Sequence, residues 1–352
     1  MNNIRLKDLA RPHLHQYGHA RDRGNILGIE PYMLPLDYQS QESLSNKLEA
    51  YLLAAQHEGW LNEKTIVLFP EYIGTWLILI NESRKIFEAP TLAIAQRALV
   101  LHHFLAFGIH FLKTREKGRA EAAIFRMKAE QMAESYQMVF SQLAQHYSVT
   151  IVAGSIILPA PRISDGRLVS NRGPLRNVSI VCKPDGTLHS QPIYKAFPTS
   201  RELPFISPAP VSDIPSFDTP AGRLGVLICA DSWFPQAHAR LNEQGIELLA
   251  VPSYEALEPR LWDRPWPGYD GWQAPADVDI DDIRNITEGQ AWEKYSLAGR
   301  IRSSGASYGM NIFLRGKLWD QDLGGKPATL VRDHEVFVEK STQQAAILNL
   351  WL

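Results

Sequence analysis

Three short segments of this sequence each set a reactive side chain just beyond an apolar run. Leu68-Phe69-Pro70-Glu71-Tyr72 places a carboxylate after the strand-like TIVLF and a proline that cannot extend it. Pro192-Ile193-Tyr194-Lys195 closes on an ammonium, and Leu224-Gly225-Val226-Leu227-Ile228-Cys229-Ala230-Asp231 delivers a thiol. In open α/β sheets reactive groups collect just past the carboxyl ends of strands. A carboxylate, an ammonium and a thiol are also the types that covalent displacement at a carbonyl uses: a base, a donor for the oxyanion and a nucleophile. Taken singly, each has a plain alternative. Glu71 reads as a solvated loop acid, Lys195 as a surface ammonium, and Cys229 as a buried structural cysteine.

The elements that must position these groups follow an α/β grammar. NILGIEPYML reads as a strand; Leu44, Leu48, Tyr51, Leu52 and Ala55 then recur at helical spacing before Gly59, and TIVLF is a second strand. A helix near 119 to 146 and the runs VTIVAGSIIL, VSIVC, LGVLIC, ELLAVPS and QAAILNLWL continue the alternation, which predicts helices covering a buried sheet. The 352 residues would allow two domains of usual size. No repeat, low-complexity tract or linker divides them, and three groups meant for one site must meet. The expectation is one domain over 25–352 behind a polar N-terminal extension, 1–24, whose His13, His15 and His19 read as a solvated arm.

Two segments stand outside the rhythm. Residues 74–118 include TLAIAQRALVLHHFLAFGIHFL, nearly long enough to span a membrane but interrupted by Gln96, Arg97, His102, His103 and His110, which are costly in hydrocarbon. A helical hairpin packed on the body or at a subunit contact is expected, with membrane contact through 74–118 the lesser alternative. Residues 255–292 carry Trp262, Trp266, Tyr269 and Trp272 among Pro, Gly and Asp, as functional loops often do. Their acids, Asp263, Asp270, Asp277, Asp279, Asp281 and Asp282, suit either selection of a cationic amide or a solvated loop.

Composition removes several classes. Lys plus Arg number 36 against 38 for Asp plus Glu, so no polycationic nucleic-acid binder is expected. At 45% hydrophobic and 21% charged, the chain is ordinarily globular. Only Cys182 and Cys229 occur, too few for a disulfide framework or a four-thiolate zinc site. The N-terminal residues lack the apolar stretch of a secretory signal, which favours a reducing, cytoplasmic setting and makes the sequons at Asn81, Asn177 and Asn285 chance. Nucleotide loops and the His-Glu-x-x-His helix are absent, and Gly324-Gly325-Lys326 reads as a turn into a strand.

Taken together, Phe69-Pro70-Glu71, then Tyr194-Lys195, then Cys229-Ala230-Asp231-Ser232-Trp233-Phe234-Pro235, in this order, resemble the nitrilase (carbon-nitrogen hydrolase) superfamily. Asn177-Val178-Ser179 before Pro184-Asp185-Gly186, and Glu247 to Ser253, are similar to its supporting strands. The form Cys-x-Asp-x-x-Phe-Pro is nearer the amidase and carbamoylase branches than the Cys-Trp-Glu of nitrilases. Against the family pattern, 74–118 looks inserted, and Arg300-Ile301-Arg302-Ser303-Ser304-Gly305 lacks the acid and amide of its late Arg-Ala-x-Glu-Asn helix end.

The resemblance implies a four-layer α-β-β-α sandwich and a homodimer or higher homo-oligomer. It implies hydrolysis of a small-molecule amide or N-carbamoyl carbon–nitrogen bond through a cysteine thioester, with no metal or organic cofactor. Glu71 would be the base, Cys229 the nucleophile, and Lys195 with the Ala230 N–H the oxyanion donors, while Glu202 would orient the lysine or substrate. Tyr72, Trp233 and Tyr254 would line the pocket with Ala230. Two other readings stay open: an acyltransferase of the same superfamily with an amine acceptor, and a catalytically silent binding protein.

Overall fold

The strand Asn25–Glu30 is buried on both faces. Ile26 packs in one core with Met310, Ile312 and Leu330, whereas Leu27 and Ile29 pack in another with Leu44, Leu48 and Phe140. Successive side chains of a strand point to opposite faces, so a layer must cover each side. The computed structural model describes residues 9–256, 262–271, 273–339 and 343–352. Its main elements in chain order are β1 (His13–Tyr17), β2 (Asn25–Glu30), α1 (Gln41–His57), β3 (Thr65–Leu68), α2 (Leu92–His102), α3 (Phe104–Lys113), α4 (Arg119–Tyr147), β4 (Thr150–Val152), β5 (Ile156–Pro159), β6 (Leu175–Ser179), β7 (Val181–Cys182) and β8 (Ile193–Tyr194). They continue with β9 (Ser216–Thr219), β10 (Gly222–Val226), α5 (Pro235–Glu243), β11 (Leu248–Ser253), α6 (Glu288–Tyr295), α7 (Leu297–Arg300), β12 (Tyr308–Phe313), β13 (Thr329–Arg332), β14 (Glu335–Val338) and β15 (Ala346–Trp351).

Two mixed six-stranded sheets result, ordered β1-β15-β2-β3-β4-β7 and β9-β10-β11-β12-β13-β14. Each has a parallel centre, β2-β3-β4 and β10-β11-β12, flanked by antiparallel strands. Their inner faces meet: Ile26, Ile66, Leu68 and Val152 share a core with Leu224, Val226, Leu248 and Ala250. A Cβ added to Gly28 would lie 2.4 Å from the Met310 sulfur, so glycine permits the close approach of β2 and β12. Outside the first sheet lie α1 and α4, whose Leu48, Leu52, Met132, Tyr136 and Phe140 are buried with Val67, Phe69 and Ile151. Outside the second lie α5 and α7, through Ala237, Leu241 and Leu297 against Leu227, Leu249 and Val251. This is the four-layer α-β-β-α sandwich.

Helix starts follow local chemistry. The Ser40 side chain accepts from the Ser43 N–H at the head of α1, and Thr287 and Gln290 form a capping box on α6.

Two expectations need correction. Within 1–24, His13–Tyr17 is no solvated arm: it pairs in parallel with β15, and that pairing satisfies main-chain groups that β15 would otherwise expose at a sheet edge. Residues 1–8 lie outside the described residues. The apolar segment forms no hairpin, since α2 and α3 meet at 98°. Ala95 and Leu99 of α2 are buried, but α3 buries no residue and leaves Leu112 80% exposed. Among the described residues no single helix is long and apolar enough to cross a membrane; only this bent pair approaches it. In 255–292, Asp263, Asp270, Asp277, Asp279 and Asp281 are exposed, as a solvated loop predicts, with Asp277 bound to Arg300 at 2.6 and 2.9 Å and Asp282 to Lys294 at 2.6 Å. Residues 257–261 and Trp272 lie outside the described residues.

Gly154, just past β4, has φ +70°, and a Cβ there would sit 2.1 Å from the Pro70 carbonyl oxygen, directly before Glu71. Gly154→Ala should therefore destabilise the protein by on the order of 2 kcal/mol in a denaturant titration, from left-handed strain plus a backbone clash. Wild-type stability in that variant would show that the loop can move freely.

Candidate active site

Each of the three reactive side chains emerges where a strand has just ended. At β3, the Phe69 N–H still donates to the Val152 carbonyl at 3.0 Å, but Pro70 has no N–H to continue the ladder. Tyr72 then turns the chain at φ 62° and gives its N–H to Ser155 Oγ at 2.9 Å, leaving Glu71 1% exposed. The Lys195 N–H donates to the Asn177 carbonyl at 2.9 Å, so the main chain stays registered on β6 while the side chain turns into the interior, 2% exposed. After β10, the Leu227 N–H bonds the Ala250 carbonyl, and Cys229 opens a short 3-10 turn, Cys229–Trp233, at φ 51°. A non-glycine residue in that region stores about 1–3 kcal/mol of strain. The turn is held by Ser232 Oγ donating to the Cys229 carbonyl at 2.7 Å and by the His238 ring against the Ser232 carbonyl at 2.8 Å.

The side chains converge. Lys195 Nζ lies 2.8 Å from Glu71 Oε1 and 2.7 Å from Glu202 Oε2. Asn177 Nδ2 donates to Glu71 Oε1 at 2.7 Å and to Glu202 Oε1 at 3.2 Å. Glu202 also accepts from the Thr199 N–H at 2.7 Å and from the Tyr72 hydroxyl. Cys229 reaches the same cluster: its thiol donates to the Tyr254 carbonyl oxygen at 3.7 Å and is close enough to Glu71 for each to shift the other's protonation. Asp231 ties the cysteine turn to the chain after Lys195, accepting from the Ala196 and Phe197 N–H groups at 3.0 and 2.7 Å.

Electrostatics divides the two glutamates. Burial pushes Glu71 up to about 7, against the pull of Lys195, with Glu202 adding to the rise. Burial opposes ionisation of Glu202 too, but Lys195, Tyr72 and the Thr199 N–H outweigh it and hold the carboxyl below its ordinary value. Lys195 is raised well above the usual lysine range, because Glu202 and Glu71 outweigh its desolvation. The Cys229 thiol is pushed well up, first by burial and then by the Glu71 charge. The resting cluster is thus an ammonium, a firmly ionised Glu202, a Glu71 poised near neutrality and a protonated thiol. Cys182, the other buried thiol, is pushed up to about 12 by burial.

The cluster opens into a cavity of about 340 Å³, in the range of small-molecule sites. Tyr72, Ala230, Trp233 and Tyr254, marked from sequence, all line it. Tyr72 and Tyr254 meet edge to face at 5.1 Å, and Trp233 lies 5.5 Å from Tyr269. The 255–292 segment contributes Trp266, Tyr269 and Asp270, whereas Asp263, Asp277, Asp279, Asp281 and Asp282 are absent from the lining. Sequence reasoning overlooked Asn177 as a site residue; its one signal was a lone amide in a buried apolar strand. It also passed over Thr75, Trp76 and Glu288, which carry no motif. Elsewhere Glu82, His102 and His103 gather closely enough to share an ion, but Glu82 already pairs with Lys128 at 2.6 Å.

Comparison with known proteins agrees with this architecture. The carbon-nitrogen hydrolase family model matches residues 38–274, which include Glu71, Lys195, Glu202 and Cys229. A variant of the Nesterenkonia AN1 amidase, from the nitrilase superfamily, superposes with a TM-score of 0.54 at 12% identity, covering 95% of this chain and 93% of that one. A carbon-nitrogen hydrolase from Helicobacter pylori G27 gives 0.52 at 15% identity over 92% and 88% of the two chains. At these identities the likeness speaks to the fold. The probable hydrolase YhcX of Bacillus subtilis (strain 168) is 27% identical over 119 residues, 34% of this chain but only 21% of that protein. With the family model spanning well over half its length and the sandwich in place, this chain belongs to the carbon-nitrogen hydrolase family.

Proposed function

We propose that this protein hydrolyses a small-molecule amide or N-carbamoyl compound through a thioester on Cys229. The observation that carries the reading is that Glu71, Lys195 and Cys229, all buried, line one cavity, with Glu71 2.8 Å from the Lys195 ammonium. A general base works best when its pKa lies near the working pH, and Glu71 at about 7 meets that condition. Glu71 takes the thiol proton as sulfur attacks the carbonyl carbon. The oxygen that becomes negative faces the Lys195 ammonium and the Ala230 N–H, which, near the start of the turn, has no carbonyl within the turn to bond. Collapse of the tetrahedral species breaks the carbon–nitrogen bond, and the leaving ammonia or amine takes the proton held by Glu71. Water then gives a proton to Glu71 and attacks the thioester; the acid departs and the proton returns to sulfur.

Glu202 is a positioning residue in this scheme. With its charge compensating Lys195 and its oxygens bound by Asn177, Tyr72 and Thr199, Glu71 stays free to cycle its proton.

Ammonia release across a panel of amides, N-carbamoyl compounds and nitriles measures the reaction. Cys229→Ala should lower it by at least about 10⁴-fold, and intact-mass spectra of the wild type should show an acyl adduct on Cys229. Turnover surviving in that variant would overturn the mechanism, and a folded protein inert to every substrate would favour a silent binding role. The pH profile gives a second check. Since Glu71 must be ionised to accept the proton, kcat/KM should rise with pH through about 7. Glu202→Gln removes a charge that raises Glu71 and leaves Lys195 to pair with Glu71 alone, so the acid limb should move to lower pH. An unmoved limb would assign it to another group.

A further inference from the structure

The helical segment 74–118 leaves a second cavity beside the first. It holds about 100 Å³ beneath α2 and is lined by apolar side chains, among them Leu79, Ala95, Leu99 and Ile124. Gln96 and Glu121, both exposed, mark its solvent side. Four residues line both this space and the cavity holding Glu71, Lys195 and Cys229: Thr75, Trp76, Leu92 and Phe125. The two spaces therefore share a wall. In that wall Thr75 Oγ1 and Trp76 Nε1 are buried and have no hydrogen-bond partner among the described residues. Buried polar groups are nearly always paired, so two orphans beside the reacting centre call for a ligand group that pairs with them. A buried indole N–H can only donate, which requires an acceptor.

We propose that the second cavity is an acyl pocket reached through a throat at Thr75 and Trp76: the substrate is an amide whose acyl chain carries an oxygen acceptor at that throat and ends in an apolar tail beneath α2. The assignment to the acyl side follows from the chemistry and rests on the hydrolase reading above. The amine leaves for solvent, whereas the acyl group stays bonded to Cys229 until water releases it, so the apolar space beside the site is assigned to the part that stays. Removing apolar tail from water supplies the binding energy, and each buried methylene is worth up to about tenfold or more in discrimination.

The experiment compares kcat/KM for primary amides from acetamide to octanamide, each with its 3-hydroxy and 3-oxo counterpart. In the wild type the value should climb at least tenfold to an optimum at intermediate length, with the oxygenated chains ahead of the plain ones. Ala95→Leu, which fills the pocket, should lower the hexanamide-to-acetamide ratio more than tenfold, and Leu99→Ala should move the optimum to longer chains. Trp76→Phe, which keeps the ring and removes the donor, should erase the advantage of the oxygenated chains. A flat chain-length profile in the wild type, or ratios unmoved in Ala95→Leu and Leu99→Ala, would overturn the pocket; an undiminished oxygen advantage in Trp76→Phe would overturn the throat. Thermal shift of the Cys229→Ala protein with the same amides reads binding without turnover. If no amide is hydrolysed yet long oxygenated chains still raise its melting temperature, the hydrolase reading fails while the pocket stands; hydrolysis with no length preference in either measurement fails the pocket alone.

Discussion

One ammonium buried between two carboxylates constrains the rest of this molecule. Desolvating Lys195 costs several kcal/mol unless its charge is matched at short range, and Glu71 and Glu202 do so at 2.8 and 2.7 Å. Neither carboxylate could be buried without the ammonium, so each member of the cluster is tolerated only because the others are present. The three come from the chain after β3, after β8 and from the loop beyond Lys195, and the cluster can exist only when the first sheet and the small β8-β6-β5 sheet are docked. Asn177, on the central strand of that small sheet, bonds both glutamates and fixes their separation.

The asymmetry between the two acids is what the proposed mechanism uses. Glu202 has enough donors to remain ionised, whereas Glu71 has fewer relative to its burial and sits near neutrality. The contrast between the cysteines follows from the same surroundings. Cys182 and Cys229 are both buried and both hard to ionise, but among the described residues only Cys229 has a carboxylate beside it to receive its proton. In the proposed mechanism, position next to a carboxylate, rather than an intrinsically acidic thiol, sets Cys229 apart from Cys182.

The sequence made the strands, α1, α4 and the three reactive positions legible because strong local signals mark them: apolar runs of strand length, helical spacing in 41–57, and a proline or tight turn where each strand stops. The ordered motif carried the sandwich. Pairings that depend on distant residues stayed hidden. Glu202 was placed beside Lys195 by the family resemblance alone, and Asn177 looked like a chance sequon, because local sequence does not show that either is buried. His13–Tyr17 is polar enough to read as solvated, and only the open edge of β15 makes it a strand. The acids of 255–292 formed one group in sequence, yet the fold scattered them, with only Asp270 of the six aspartates reaching the cavity.

The place of β15 in the first sheet has a kinetic consequence. This strand lies between β1 and β2 and is bound to β2 by the buried contact of Asn25 with Asn349, 324 positions apart. During synthesis β2, β3 and β4 can pair well before β15 is made, so one flank of β2 stays open until Ala346–Trp351 has emerged. Contacts of such long separation are slow to form, and an unpaired flank invites association with other chains in the meantime. For this protein the hazardous interval is the time between the emergence of β2 and that of β15, and slower translation would lengthen it.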